Sequence, residues 1–223
     1  MSVKNKYIVK SIKSQETYDW LMNKHYAKRI PSISWSFGLF DDYLQGVCTF
    51  GTPASSTLLR GVCGECWAVN VIELNRLVIN DHCPKNTASY FISKCLKMLP
   101  KPKVIVSYAD TGQQHVGKVY QACNFIYTGL SSKFTDPKVK GLEHQHHATY
   151  ANRMTNNELK DKYGDRLYFV NRDRKHRYVY FIGTKKEVNK MKNDLNYPIK
   201  EYPKGESKRY DAGYIPNTQI ELL

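Results

Sequence analysis

Residues 71–129 read VIELNRLVIN DHCPKNTASY FISKCLKMLP KPKVIVSYAD TGQQHVGKVY QACNFIYTG. The first nine residues, VIELNRLVI, form an apolar run of strand length. A polar loop with Pro84 and Asn86 follows, then TASYFISKCLKML with apolar residues at helical spacing. KVIVSYAD is a second apolar strand, HVGKVYQACNF a short helix and IYTG a third strand. Strand–loop–helix repeated twice and closed by a strand predicts crossover α/β units. Ligands of such units sit where the carboxyl ends of the strands meet the next helix. Arg76, Asn86, Ser89, Asp110, His115 and Tyr120 all fall at or near those ends.

Upstream, KYIVKSI predicts a short strand, and SQETYDWLMNKHY a helix with Ser14 as N-cap. SISWSFGLF and LQGVCTFG predict a hairpin turning at Asp41-Asp42. The resulting order, β-α-β-β then β-α-β-α-β, is similar to that of GNAT-type N-acyltransferases. The expected fold is therefore a GNAT-like α/β domain with a mixed central sheet flanked by helices. Residues 51–70 are dense in Gly, Pro and Ser and are expected as a surface excursion. Their Cys63-x-x-Cys66 lacks a second pair and argues against structural zinc. Downstream, NELKDKYG predicts a short helix. YFVNRDRKHRYVYFIG predicts a hairpin turning at Arg172–Lys175, and KKEVNKMKNDL a basic helix. The tail is expected to be irregular, with its last ten residues least ordered. Residues 1–150 are assigned to the core and 151–223 to a basic C-terminal extension packed on it, one domain in all.

Lys and Arg number 34 against 20 Asp and Glu, a net charge of +14 over 223 residues. That field favours a polyanion, against the blander reading of a soluble basic protein. No apolar run approaches the roughly 20 residues of a membrane span. The amino terminus has no secretory h-region, and six cysteines read as reduced thiols in a cytosol.

Several groups suit chemistry, each with a plainer alternative. Asp110, ending a strand in SYADTG, suits ligand orientation, proton transfer or metal binding, or serves only as an N-cap. Tyr120 is either a general acid to a leaving group or a packed aromatic. The loop before the TASYFISKCLKML helix has no glycine, unlike the pyrophosphate cradle of acyl-CoA enzymes. Anion binding there would rest on the helix dipole, Lys85, Asn86 and Ser89, and acetyl-CoA is the less favoured cofactor. His25, Asp110 and His115 together suit a two-His-one-carboxylate iron site, Fe(II) or Fe(III), if they converge. His144, His146 and His147 are read as a solvated or phosphate-facing cluster. Arg172, Arg174, Lys175, Arg177, Lys185 and Lys186 are candidate phosphate contacts.

Several stretches together point to one family: His25-Tyr26-Ala-Lys-Arg-Ile-Pro31, Glu73-Leu-Asn-Arg-Leu77, the start of the helix at Asn86, and SYAD-x4-H-x-G-x-x-YQA-x-N from Ser107 to Asn124. KHRYVYFIG from Lys175 and YPKG from Tyr202 add to these. The chain resembles the phage Mom family of DNA-modification proteins over about residues 20–205. The resemblance implies a GNAT-like transferase that converts adenine in phage DNA to N6-carbamoylmethyladenine, protecting it from restriction in the cytoplasm of the bacterial host. It implies functional roles for Arg76, Ser89, Asp110, Tyr120 and Tyr26, and a link to iron. The group donor stays open. The partner would be double-stranded DNA with a flipped or unpaired adenine, stacked on Trp35, Tyr108 or Trp67. Two rival readings stay open, an acetyl-CoA-dependent N-acetyltransferase and a non-catalytic phage DNA-binding protein.

Overall fold

The computed structural model describes residues 2–143, 147–151 and 154–206. In chain order, a short helix α1 (Val3–Lys6) precedes strand β1 (Ile8–Ser11). A helical segment, residues 14–24, leads to the hairpin β2 (Trp35–Phe40) and β3 (Leu44–Gly51). Helix α2 (Ser56–Cys63), β4 (Val71–Ile79), α3 (Thr87–Met98), β5 (Lys103–Asp110), α4 (Lys118–Ala122) and β6 (Ile126–Leu130) follow. Beyond them lie β7 (Thr135–Val139), α5 (His147–Ala151), α6 (Asn156–Tyr163), β8 (Leu167–Asn171), β9 (Lys175–Ile182) and α7 (Lys185–Asn193). Seven strands form one mixed sheet in the order β1-β2-β3-β4-β5-β9-β6, with β4 and β5 parallel; β7 and β8 form a separate two-stranded ribbon. The expected mixed sheet flanked by helices is present.

The elements follow from their side chains. On α3, Thr87, Phe91, Ile92, Cys95 and Leu96 are buried, one helical face laid on the sheet. Phe91, Ile92, Cys95 and Leu96 join Phe37, Phe50, Leu74, Ile105 and Tyr178 in the larger core. The opposite face of the sheet carries a second core of Val62, Trp67, Val71, Val104, Val179 and Met191 under α2 and α7. Each fully buried Leu or Phe contributes roughly 1.5–3 kcal/mol relative to exposure.

Four expectations change. Ser14 is not the N-cap of the first helical segment; Lys13 holds that position, and the Glu16 carboxylate accepts its N–H at 2.7 Å. Residues 51–70 are not a loose excursion, because Leu58, Val62, Cys63 and Trp67 fold α2 and a following 3-10 turn onto the sheet. The second crossover helix is short, with a 3-10 turn at Thr111–Gln113 preceding α4. Finally, β8 and β9 do not form a hairpin. Tyr178, Val179, Phe181 and Ile182 are buried and place β9 between β5 and β6, whereas half-exposed β8 pairs with distant β7. The expected C-terminal extension thus supplies an interior strand. Past α7, the chain straps the β6 edge: Lys200 N donates to the Tyr127 carbonyl and Tyr202 Oη to that of Phe125. The final ten residues lie outside the described residues.

Candidate active site

β4 and β5 pair only from Val71↔Val104 to Leu74↔Ser107, although β4 runs to Ile79 and β5 to Asp110. The strands separate beyond that point. A cavity of about 570 Å³ occupies the gap, a size suited to a small-molecule ligand. At the last paired position, Ser107 Oγ donates to the Leu74 carbonyl at 2.9 Å.

The β3–β4 register gives the cavity its charged wall. Thr49 pairs with Arg76 and Phe50 with Leu74, which leaves Asn75 as an extra residue. Such a bulge reverses the alternation of side chains beyond it. Ile72 and Leu74 before it, and Leu77 and Ile79 after it, pack into the same core. Glu73 and Arg76 therefore share the other face, and both line the cavity. Asn75 is pinned by bonds to Thr49 Oγ1 at 2.6 Å and the Ser32 carbonyl at 2.8 Å. Arg76 is 9% exposed. Its terminal nitrogens donate to the carbonyls of Asn75 and Arg29, while the buried Nε has no partner. Burial holds the Glu73 carboxyl above its ordinary pKa, against the opposing pull of Arg76, Lys175 and Arg29. Sequence reasoning missed Glu73, although it opens the Glu-Leu-Asn-Arg-Leu motif; strict alternation puts it opposite Arg76.

His25 and Tyr26 enter from the amino-terminal segment. Trp20–Lys24 is a π turn, closed by His25 N to the Trp20 carbonyl at 3.0 Å. The wide turn delivers His25 buried and Tyr26 stacked on it, centroids 4.4 Å apart. The Tyr26 ring meets His115 edge-on at 6.0 Å, so His25, Tyr26 and His115 do converge on the cavity. Burial, with Arg76 next, lowers the His25 pKa to about 3, and burial with Asp110 next raises that of Tyr26 to about 12. Tyr120 lines the cavity floor from α4, its hydroxyl paired with Ser107 and its pKa raised by burial. At neutral pH, His25 is thus uncharged and both tyrosines keep their protons. Tyr108 also lines the cavity, but Trp67 is locked in the far core by its Nε1–H bond to Asp194. Trp35 does not line the cavity.

At the other end lies the amino terminus of α3. Asn86 adopts the left-handed conformation, φ +71°, in place of a glycine, and no side chain caps the first turn. Uncapped N–H groups, with Lys85 and Lys118 in the lining, suit a negatively charged group. Asn86 lines the cavity; Ser89 lies just outside, its Oγ donating to the Asn86 carbonyl at 3.0 Å.

His25 and Asp110, named above with His115 for iron, each hold another partner here. His25 Nδ1 accepts the Ala27 N–H at 3.0 Å, so Nε2 carries the proton of the neutral ring. Asp110 accepts the Gly112 N–H with one oxygen and faces Lys175 Nζ at 3.3 Å with the other. Among the described residues, no group of three or more His, Cys, Asp or Glu could hold a metal ion. His144, His146 and the side chain of His147 lie outside what is described.

The Mom protein family matches residues 6–204. The chain belongs to the Mom protein family. It is 29% identical over 199 residues to methylcarbamoylase mom of Escherichia phage Mu, covering 82% of this chain and 78% of that protein. Among solved structures, spermidine/spermine N-acetyltransferase SpeG from Vibrio cholerae aligns with TM-score 0.46 and 10% identity over 81% of this chain and 95% of that one. An N-acetyltransferase from Staphylococcus aureus Mu50 aligns with TM-score 0.44 and 12% identity over 78% and 98%.

In this Mom-family chain the candidate DNA contacts separate into two groups. Lys175 lines the cavity, and Arg172 and Arg174 precede it. Lys185 and Lys186 follow the far end of β9, where Ile182 pairs with Lys103 at the start of β5. Arg174 and Arg177 also act as clips: Arg174 Nε donates to the Ser131 carbonyl at 2.6 Å, and Arg177 Nε to Thr128 Oγ1 at 2.9 Å.

Proposed function

We propose that the chain adds a carbamoylmethyl-type group to the N6 amine of adenine in phage DNA, protecting that DNA from restriction inside the bacterial host. The single observation that carries the reading is membership of the Mom family together with the Glu73–Arg76 wall in the β4–β5 cavity. The adenine amine is a weak nucleophile held in the duplex stack, so the base must leave the stack at a cost of a few kcal/mol. Tyr26 and Tyr108 offer it aromatic faces. As the N6–carbon bond forms, Glu73 takes the amine proton; its raised pKa suits that exchange. Arg76 directs its unpartnered Nε–H at an acceptor on the base or the incoming carbamoyl group. The bond from the transferred carbon to its leaving group breaks with the electron pair going to the leaving group, which the protonated Tyr120 can neutralise. Asp110, bonded to the backbone and Lys175, positions the loop that carries His115. The donor is an activated carbamoylmethyl carbon whose anionic part the α3 amino terminus would hold.

Mass spectrometry of nucleosides from DNA of bacteria expressing the chain tests the reading. An adenosine species heavier by one carbamoylmethyl group is expected. Unmodified DNA, combined with tight acetyl-CoA binding by calorimetry, would favour an N-acetyltransferase instead.

A further inference from the structure

The β7–β8 ribbon is an insertion whose two ends both lie beside the cavity. It leaves the sheet after β6 and returns at Lys175, the first residue of β9 and part of the cavity wall. Its root is tied down. Ser131 N donates to the Lys175 carbonyl at 2.8 Å, Arg172 N to that of Phe134 at 2.9 Å, and Thr111 Oγ1 to that of Arg174 at 2.6 Å. The last bond links the ribbon root to the loop after Asp110.

The ribbon carries exposed apolar surface that the described chain leaves uncovered. Phe134 is 57%, Phe169 41% and Val170 43% exposed. Buried Val139 and Leu159 and the Tyr150 bond to the Pro137 carbonyl give it separate support from α5 and α6. Lys133, Lys140 and Arg166 stand exposed around it, and the Arg172 guanidinium, paired with the Asp136 carboxylate, lies 6.0 Å from the Phe134 ring centroid. Apolar side chains set among cations complement a DNA groove, where thymine methyls and base edges lie between rows of phosphate.

We infer that the β7–β8 ribbon enters the major groove of duplex DNA beside the target adenine and sets which flanking base pairs are accepted. This rests on the proposed DNA-adenine modification. A two-stranded ribbon fits the roughly 12 Å major groove, and the adenine N6 amine lies on that same groove edge. Arg172 and Lys175 are three residues apart, at most about 10 Å of chain. The ribbon base thus stands within about three base-pair steps of the cavity, close enough to read adjacent pairs.

The test titrates purified protein against one fluorescent sequence as duplex and as single strand. Phe169→Ser/Val170→Ser is expected to weaken duplex binding at least tenfold and leave single-strand binding within twofold. Unchanged duplex affinity, or an equal fall on both forms, overturns the inference. So does a change in oligomeric state by sedimentation, which would make the patch a protein interface. Phe134→Ser, outside the strands, repeats the measurement if circular dichroism shows the double variant misfolded. Nucleoside mass spectrometry of the wild type tests the underlying reading separately, because the binding arms need no chemistry. Mapping modified adenines for wild type and variant then shows a relaxed flanking preference if the ribbon sets it.

Discussion

Glu73 and Arg76 line one cavity because Asn75 is inserted between them as a β-bulge. Three residues apart on a regular strand, they would face opposite sides of the sheet. The bulge turns a stretch that packs the core into one that also carries a half-buried acid and a buried base. Glu73→Gln keeps the shape and the hydrogen-bonding ability but removes the proton acceptor. Modification should fall by about 10²–10⁴-fold with the thermal midpoint little changed, measured as modified adenosine per total adenosine. Full activity in this variant would remove Glu73 from the mechanism.

His25 gives stability a pH dependence of known sign. Its pKa is about 3 when folded against an ordinary 6.5, so between these values the unfolded chain binds a proton that the folded chain refuses. The contribution is complete above pH 6.5 and falls as pH drops towards 3. Between pH 7 and pH 5 the loss is about 2 kcal/mol. Denaturant titrations should show a flatter pH dependence for His25→Gln than for the wild type.

Gly117 is fixed by two constraints at once. Its φ is +76°, and an added Cβ would lie 2.4 Å from the Tyr178 ring. That ring is buried and its hydroxyl donates to the Val116 carbonyl. Gly117→Ala should cost roughly 2 kcal/mol, visible as a thermal midpoint several degrees lower. Because α4 starts at the next residue and carries Tyr120, modification should fall as well.

The basic surface divides by position. DNA affinity should drop by orders of magnitude between about 50 and 200 mM salt if several phosphates are held. Lys133→Ala with Lys140→Ala should flatten that slope. Lys185→Ala with Lys186→Ala, at the opposite end of β9, should leave it unchanged. The reverse pattern would place the duplex away from the cavity.

Much of the fold was legible in local sequence. VIELNRLVI and KVIVSYAD are strands over their whole quoted lengths, and TASYFISKCLKM is the helix between them. Both apolar strands are buried, and the helix keeps its apolar residues on one face, so periodicity identified them. What was hidden depends on distant partners or on one residue of register. Gly61 and the flanking Gly, Pro and Ser obscured α2, whose Leu58 and Val62 sit one turn apart. The strand after Arg172–Lys175 looked like half of a local hairpin, but β8 found its partner about thirty residues upstream. The convergence of His25, Tyr26 and His115 depends on a π turn that composition does not reveal. Glu73 stayed unseen because the bulge at Asn75 leaves no mark in an alternating pattern.

The most direct measurement is nucleoside mass spectrometry on DNA from cells expressing the wild type or Glu73→Gln, with duplex affinity measured on the same purified proteins. The expected result is carbamoylmethyl-modified adenosine with the wild type, its near-complete loss with Glu73→Gln, and equal DNA binding by both. Unmodified adenosine from a wild-type protein that is folded and bound to DNA would contradict the account.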